Sequence, residues 1–310
     1  MMDFVFIGGT YRGWRTLASL IDGGFVPRLA FILKEDDHET ERYSERIAET
    51  ARELRIPFRV TKTLSQDDYR AIRDVRPEFA VVCGWRTIID PAISDSMKLG
   101  LVAAHDSLLP RYRGFAPINW AIINGETETG VTLFLIGDGE VDSGNIIDQE
   151  KVAIGPDDYA RDVYEKVTEA TISLYARFFR QYAEGSIALT KQDEVKATYT
   201  CKRSPEDGRI DWTKSDTDVY NLIRALARPY PGAYCILNGK RFRVHRASPG
   251  VMRGRVYAGR IPGKTIRIDE SGIEILCGTG SVTITEWEEE GSGVPESPSV
   301  LVRSITTTLQ

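Results

Sequence analysis

Apolar and polar positions divide the chain into two parts of different rhythm. In the first, short apolar runs alternate with longer segments whose apolar residues recur at helical spacing. Residues 4–7 form an apolar run closed by Gly8-Gly9 and predict a strand, followed by a helix over about 13–21. A strand at 27–33, a charged helix at 39–54, a strand at 58–60 and a helix at 69–75 follow. Residues 79–83, five apolar positions bounded by polar ones, predict a buried strand, and 101–104 another. Strands at 131–136 and 145–154 flank the loop GDGEVDSG. A long helix spans about 158–183, with Val163, Val167, Ala170, Leu174 and Phe178 on one face. Apolar strands alternating with amphipathic helices predict βαβ units, hence a Rossmann-like α/β domain with a mostly parallel sheet covered on both faces.

The rhythm changes near Lys202. One short helix (216–227) precedes a series of brief strands punctuated by Gly and Pro, with Asn238-Gly239 reading as a hairpin turn. This predicts a smaller, mainly β domain of barrel or OB-like type. The expected division is residues 1–200 and 201–310, with the last dozen residues loosely held.

Composition narrows the class without changing that picture. A chain of 310 residues, 42% hydrophobic, can bury a sizeable core and is long for one domain. Forty basic against 45 acidic residues give a net charge of -5, which does not single out a nucleic-acid partner. The four cysteines, Cys83, Cys201, Cys235 and Cys277, form no CxxC pair, so neither a metal site nor a disulfide framework is expected. The opening MMDFVFIGG lacks a signal-peptide pattern, and no run approaches the ~18 apolar residues of a membrane span. A cytoplasmic protein is the expectation.

Chemistry concentrates after the strand at 101–104. His105 stands where that strand ends, at the carboxyl edge where open α/β sheets bind ligands. The loop that follows, HDSLLPRYRGFAPINW, places two arginines around Tyr112, and a helix starting near Ala116 directs free N–H groups back toward it. Asp142, in the next loop, is within reach of the imidazole. Gly8-Gly9 and Gly13 have the spacing GGxxxG and read as a tight strand–helix turn rather than a dinucleotide fingerprint. His38 lies in a charged run and reads as solvated surface, and His245 as a surface strand residue.

The segments HDSLLPRYRG, APINWAIINGE, TGVTL and GEVDSGNII resemble the formyltransferase family, whose members act on methionyl-tRNA, glycinamide ribonucleotide and nucleotide-linked amino sugars. KRSPEDGRIDW and IRALARPYPGAY resemble the linker and C-terminal domain of its two-domain members, so the resemblance covers most of the chain. It implies N10-formyltetrahydrofolate as donor, no metal, His105 as acid/base and oxyanion donor, and Asp142 orienting it. It further implies folate contacts from Cys83, Gly84, Trp85, Leu109, Arg113 and Asp138, and acceptor contacts from Thr10, Tyr11, Arg12 and Ser107. Trp85 reads equally well as core packing. One position departs: the family's asparagine, two residues before the histidine, is Ala103. Asn119, a backbone N–H or a water is the expected substitute. A hydrolase domain acting on 10-formyltetrahydrofolate shares that departure and the INW of residues 118–120.

The acceptor follows from charge. The tRNA enzymes of the family carry a basic insertion after the second strand, where this chain reads KEDDHETERYSER. Glu35, Asp36, Asp37 and Glu39 there oppose a phosphate backbone. A nucleotide-linked amino sugar, of the kind used in surface polysaccharide biosynthesis, is therefore the expected partner, with Arg12 a candidate for its phosphates and a homodimer compatible with the sequence. The alternatives are methionyl-tRNA and a hydrolytic or folate-binding relative.

Overall fold

The computed structural model of the protein describes residues 2–36, 39, 41–137 and 139–310. Asp37, His38 and Asp138 lie outside the described residues. The chain forms two compact units: residues 1–114, 130–152 and 166–199 in the first, residues 115–129, 153–165 and 200–310 in the second.

The first half runs β1 (Phe4–Gly8), α1 (Thr10–Asp22), β2 (Leu29–Leu33), α2 (Ser44–Glu53), β3 (Phe58–Thr61), α3 (Gln66–Val75), β4 (Phe79–Cys83) and β5 (Gly100–His105). Then come β6 (Arg113–Gly114), α4 (Pro117–Ile123), β7 (Glu128–Ile136), β8 (Ile146–Ala153), α5 (Ala160–Ala183) and β9 (Tyr199–Thr200). Seven strands form one sheet in the order β3-β2-β1-β4-β5-β7-β8. Strands β1 to β5 are parallel, and β7 runs antiparallel to β5 with Thr132 opposite His105. Every residue of β1, β2 and β4 is buried, which is why these strands read as continuous apolar runs rather than alternating ones. Strand order reverses between β1 and β4, so the carboxyl ends of these strands and of neighbouring β5 lie at the topological switch point where open α/β sheets bind ligands.

Helix α2 starts at Ser44, later than the charge pattern predicts. The buried Glu35 carboxylate accepts the backbone N–H groups of Tyr43 and Ser44 at 2.5 and 2.7 Å and so fixes the helix start. In α3, Ser65 and Asp68 form a capping box.

In the second unit, α6 (Asp216–Leu226) precedes β10 (Ala233–Leu237), β11 (Lys240–Pro249), β12 (Thr265–Asp269), β13 (Gly272–Leu276) and β14 (Ser281–Glu289). The sheet order is β10-β11-β14-β13-β12, all antiparallel, around a core that includes stacked Phe242 and Trp287. Asn238 and Gly239 both have positive φ, as a two-residue hairpin turn requires. The chain end is not loose. Ile236 and Gln310 exchange both backbone hydrogen bonds, while the Leu309 N–H donates to Gly263 and the Thr265 N–H to Thr307. Residues 307–310 thus bridge β10 and the start of β12, and Leu309 is buried.

The second unit also takes two segments from before residue 200. Asn119 Nδ2 donates to the Ala225 carbonyl at 2.7 Å, tying α4 to α6. The Arg224 guanidinium donates to the carbonyls of Gly155 and Asp158, and the Tyr159 hydroxyl bonds the backbone of Ala247. These polar groups find their partners across long sequence separations. Among the described residues no helix is long and apolar enough to cross a membrane.

His245, expected at the surface, is buried, with Nε2 3.2 Å from the Glu288 carboxylate. Burial, and then the nearby Arg228, lower its pKa from the ordinary 6.5. The unfolded chain therefore binds a proton here before the native state does, and the stability present above pH 6.5 is lost as the pH falls below it. The urea midpoint of the wild type should drop more steeply than that of His245→Gln as the pH is lowered through this range. Parallel curves would show that His245 does not contribute.

Candidate active site

His105 is the last residue of β5, nine-tenths buried, with each ring nitrogen facing an acceptor. Nε2 lies 2.8 Å from the backbone carbonyl of Tyr112, and Nδ1 lies 3.4 Å from Asp142 Oδ2. A carbonyl oxygen only accepts, so Nε2 carries the hydrogen and the neutral ring keeps its lone pair on Nδ1. Nδ1 faces the Asp142 carboxylate across that distance.

Asp142 sits in the loop between β7 and β8 at φ 58°, a left-handed conformation that aspartate tolerates better than most residues. Its Oδ2 also accepts the backbone N–H of Gly114 at 2.9 Å, so one carboxylate oxygen joins the loop after β5 to the imidazole. The Asp142 main chain is held in turn by Gln192, whose Nε2 donates to the carbonyls of Asp142 and Gly144, each at 2.7 Å.

On β5, Ala103 and His105 point to the same face. Ala103 belongs to an apolar cluster with Leu109 and Phe134, against which Trp85 and Ile146 pack. The Trp85 indole N–H is buried with no partner among the described residues. An orphaned donor on an apolar wall fits a flat heteroaromatic ligand with a polar rim, which is the character of a pterin. Gly84, at φ 69°, has the Gly9 carbonyl pressed where a Cβ would stand, and Gly9 N donates to Cys83 O at 3.1 Å. The GGxxxG glycines therefore serve close passage of β1 and α1 over β4.

Several expected ligand contacts are occupied by the protein itself. Arg12 is buried and ion-paired with Asp106, so its guanidinium is not the phosphate clamp expected of it. The Ser107 hydroxyl, also buried, donates to Arg111 O at 2.6 Å and braces the loop. Arg113 is fully buried, and its five N–H donors go to Gln192, Glu194 and Tyr199, which leaves none for folate. Cys83 is buried beside Thr16, and burial pushes its thiol pKa up. Asn119, spent on Ala225, does not replace the missing asparagine. Leu109 and Trp85 remain on the apolar wall, and Thr10 and Tyr11 open α1 half-buried, with the Tyr11 hydroxyl accepting from Arg15 at 2.7 Å. Gln192, Asp106 and the Tyr112 carbonyl are the parts that spacing did not reveal. Among the described residues no group of three or more His, Cys, Asp or Glu side chains could hold a metal ion.

The chain thus combines a Rossmann-like sheet, with a histidine–aspartate pair at its carboxyl edge, and a smaller antiparallel β unit. The formyl transferase family model matches residues 32–178, and the formyl transferase C-terminal domain model matches residues 202–298. The methionyl-tRNA formyltransferase of Citrifermentans bemidjiense is 32% identical over 295 residues, covering 94% of this chain and 90% of that protein. The chain belongs to the formyl transferase family, and its activity is folate-dependent formyl transfer.

Solved structures share the fold at low identity. The N-formyltransferase from Helicobacter canadensis, in complex with folinic acid and dTDP-3-aminofucose, aligns with a TM-score of 0.70 at 19% identity, over 92% of this chain and 99% of that one. HypX from Aquifex aeolicus, in complex with tetrahydrofolic acid, aligns at 0.67 and 17% identity over 98% of this chain, which spans 47% of HypX.

Because Arg12 and Asp106 are both largely buried, removing one partner strands a charge. Arg12→Met should cost about 3 kcal/mol of unfolding free energy in denaturant titration. The double variant Arg12→Met/Asp106→Asn should recover at least about 1 kcal/mol of that loss. Additive losses would show that the two side chains are not coupled.

Proposed function

We propose that this enzyme transfers the formyl group of N10-formyltetrahydrofolate to the amine of a nucleotide-linked amino sugar. The acceptor nitrogen bonds to the formyl carbon, the bond from that carbon to N10 breaks, and the proton lost by the attacking nitrogen passes to His105 and on to N10. His105 serves as the acid/base of that transfer, with Asp142 orienting its ring. Ala103 offers only a methyl group and both ring nitrogens of His105 face protein acceptors, so the hydrogen bond to the charge on the formyl oxygen is left to ordered water. The Trp85 N–H and the apolar wall around Leu109 support pterin binding beside this pair.

The observation that carries the acceptor reading is charge. After β2, where a tRNA enzyme would need cations, Asp36 pairs with Lys62 and Glu39 with Arg86, at 2.5 and 2.6 Å. In the second unit three basic residues of β11 face glutamates: Lys240 pairs with Glu289, and Arg241 and Arg243 with Glu290. Cations already neutralised gain little from a phosphate backbone. Tyr11, Trp14 and Tyr43 form an aromatic group after β1 and β2, with the Arg46 guanidinium 5.0 Å over Trp14, which supports a planar base. Methionyl-tRNA remains a second reading, favoured by the 32% identical relative.

His105→Ala and Asp142→Asn should each lower kcat by roughly 100-fold or more while keeping native melting curves. Near-normal turnover by either folded variant would refute the assignment of the pair. Offered dTDP-, UDP- and GDP-linked amino sugars beside initiator methionyl-tRNA at physiological salt, the enzyme should formylate a sugar. Transfer to tRNA alone would establish the second reading, and formate release without any acceptor a hydrolase.

A further inference from the structure

We infer that Gln192 is a positioning residue for formyl transfer, acting on Asp142 through its main chain; the inference rests on the roles proposed above for His105 and Asp142. Gln192 lies 50 residues from Asp142 in sequence yet is buried against it, with 4% of its surface exposed. Its amide nitrogen has two hydrogens, and they meet the carbonyls of Asp142 and Gly144. These carbonyls bracket Ser143, so the clamp spans the turn that holds Asp142 in its left-handed conformation.

The amide can face only one way. Gln192 Oε1 accepts from Arg113 Nε at 3.1 Å and Nη2 at 2.7 Å. A flipped amide would set donors against donors on the Arg113 side and oxygen against two carbonyls on the other. Arg113 is itself fixed, since Glu194 accepts from both of its terminal nitrogens at 2.8 Å and Tyr199 accepts from Nη1 at 3.1 Å. The Tyr199 hydroxyl also donates to Glu140 at 2.5 Å, at the start of the same loop. A chain of fully used donors thus runs from Glu194 through Arg113 and Gln192 to the backbone of Asp142. What it sets is the direction of the carboxylate: a small rotation of the Asp142 backbone would carry Oδ2 away from both the Gly114 N–H and His105 Nδ1. Gln192 touches neither nitrogen of His105 in any recorded hydrogen bond, so its effect on the chemistry would pass through Asp142.

The test uses the full chain, 10-formyltetrahydrofolate as donor, and the fastest acceptor among the amino sugars, methionyl-tRNA and water. Gln192→Glu keeps the volume and the acceptors for Arg113 but turns an oxygen toward the two carbonyls. Gln192→Met removes the polar group, and Gln192→Glu alone carries the test should the Met variant not fold. Each folded variant should lose kcat on the order of 100-fold, with the donor KM changed by less than about threefold. In an Asp142→Ala background, where no carboxylate is left to aim, the same substitutions should change kcat by less than about twofold. Fully active Gln192 variants beside a crippled Asp142→Ala would overturn this inference alone, as would equal losses in both backgrounds. Near-normal turnover by Asp142→Ala would overturn the site assignment and this inference with it.

Discussion

One carboxylate oxygen organises this site. Asp142 Oδ2 accepts the Gly114 N–H and faces His105 Nδ1, so the loop after β5 and the loop after β7 are registered on a single atom. Hydrogen bonds to a charged acceptor contribute about 1.5–3 kcal/mol each, more than neutral ones, and they are directional. That directionality matters because the imidazole is pinned from its other side by the Tyr112 carbonyl. The ring has no freedom to follow a displaced carboxylate, so the geometry of Asp142 is the geometry of the pair.

The sheet puts this arrangement where a ligand can reach it. Buried apolar strands fix the parallel core, and the reversal of strand order between β1 and β4 puts the pair beside the switch point at their carboxyl ends. Close glycine packing of the β1–α1 turn over β4 keeps side chains out of the way, while Arg12 and Asp106 fasten that turn to the residue after His105. Polar groups that would otherwise face a ligand are spent on rigidity. Ala103, Leu109 and Phe134 form an apolar cluster beside the pair, with Trp85 packed against it.

The parts of this picture that were legible in the sequence are those that local pattern encodes. Continuous apolar runs announced β1, β4 and β5, and a motif that departs only at Ala103 drew attention to His105 and Asp142. Residue type alone misled where the fold itself supplies a partner. Arg12, Ser107 and Arg113 are plausible ligand contacts by chemistry, but Asp106, the Arg111 carbonyl, and Gln192 with Glu194 claim them in the fold. Gln192 has no signature of its own, since its importance lies in which backbone carbonyls it meets. Residues 307–310 gave no strand signal, because only Leu309 among them is apolar and their order comes largely from backbone hydrogen bonds to two neighbouring edges.

The central claim is that His105 and Asp142 flank the reacting formyl group. A crystal structure of the enzyme with a non-transferable formyl-folate analogue tests it directly. The formyl carbon should lie within contact range of the His105 ring, with the pterin on the wall formed by Trp85 and Leu109 and an approach distance of about 3–3.5 Å left for the amine. A pterin bound elsewhere, with the formyl group out of reach of both side chains, would contradict the account.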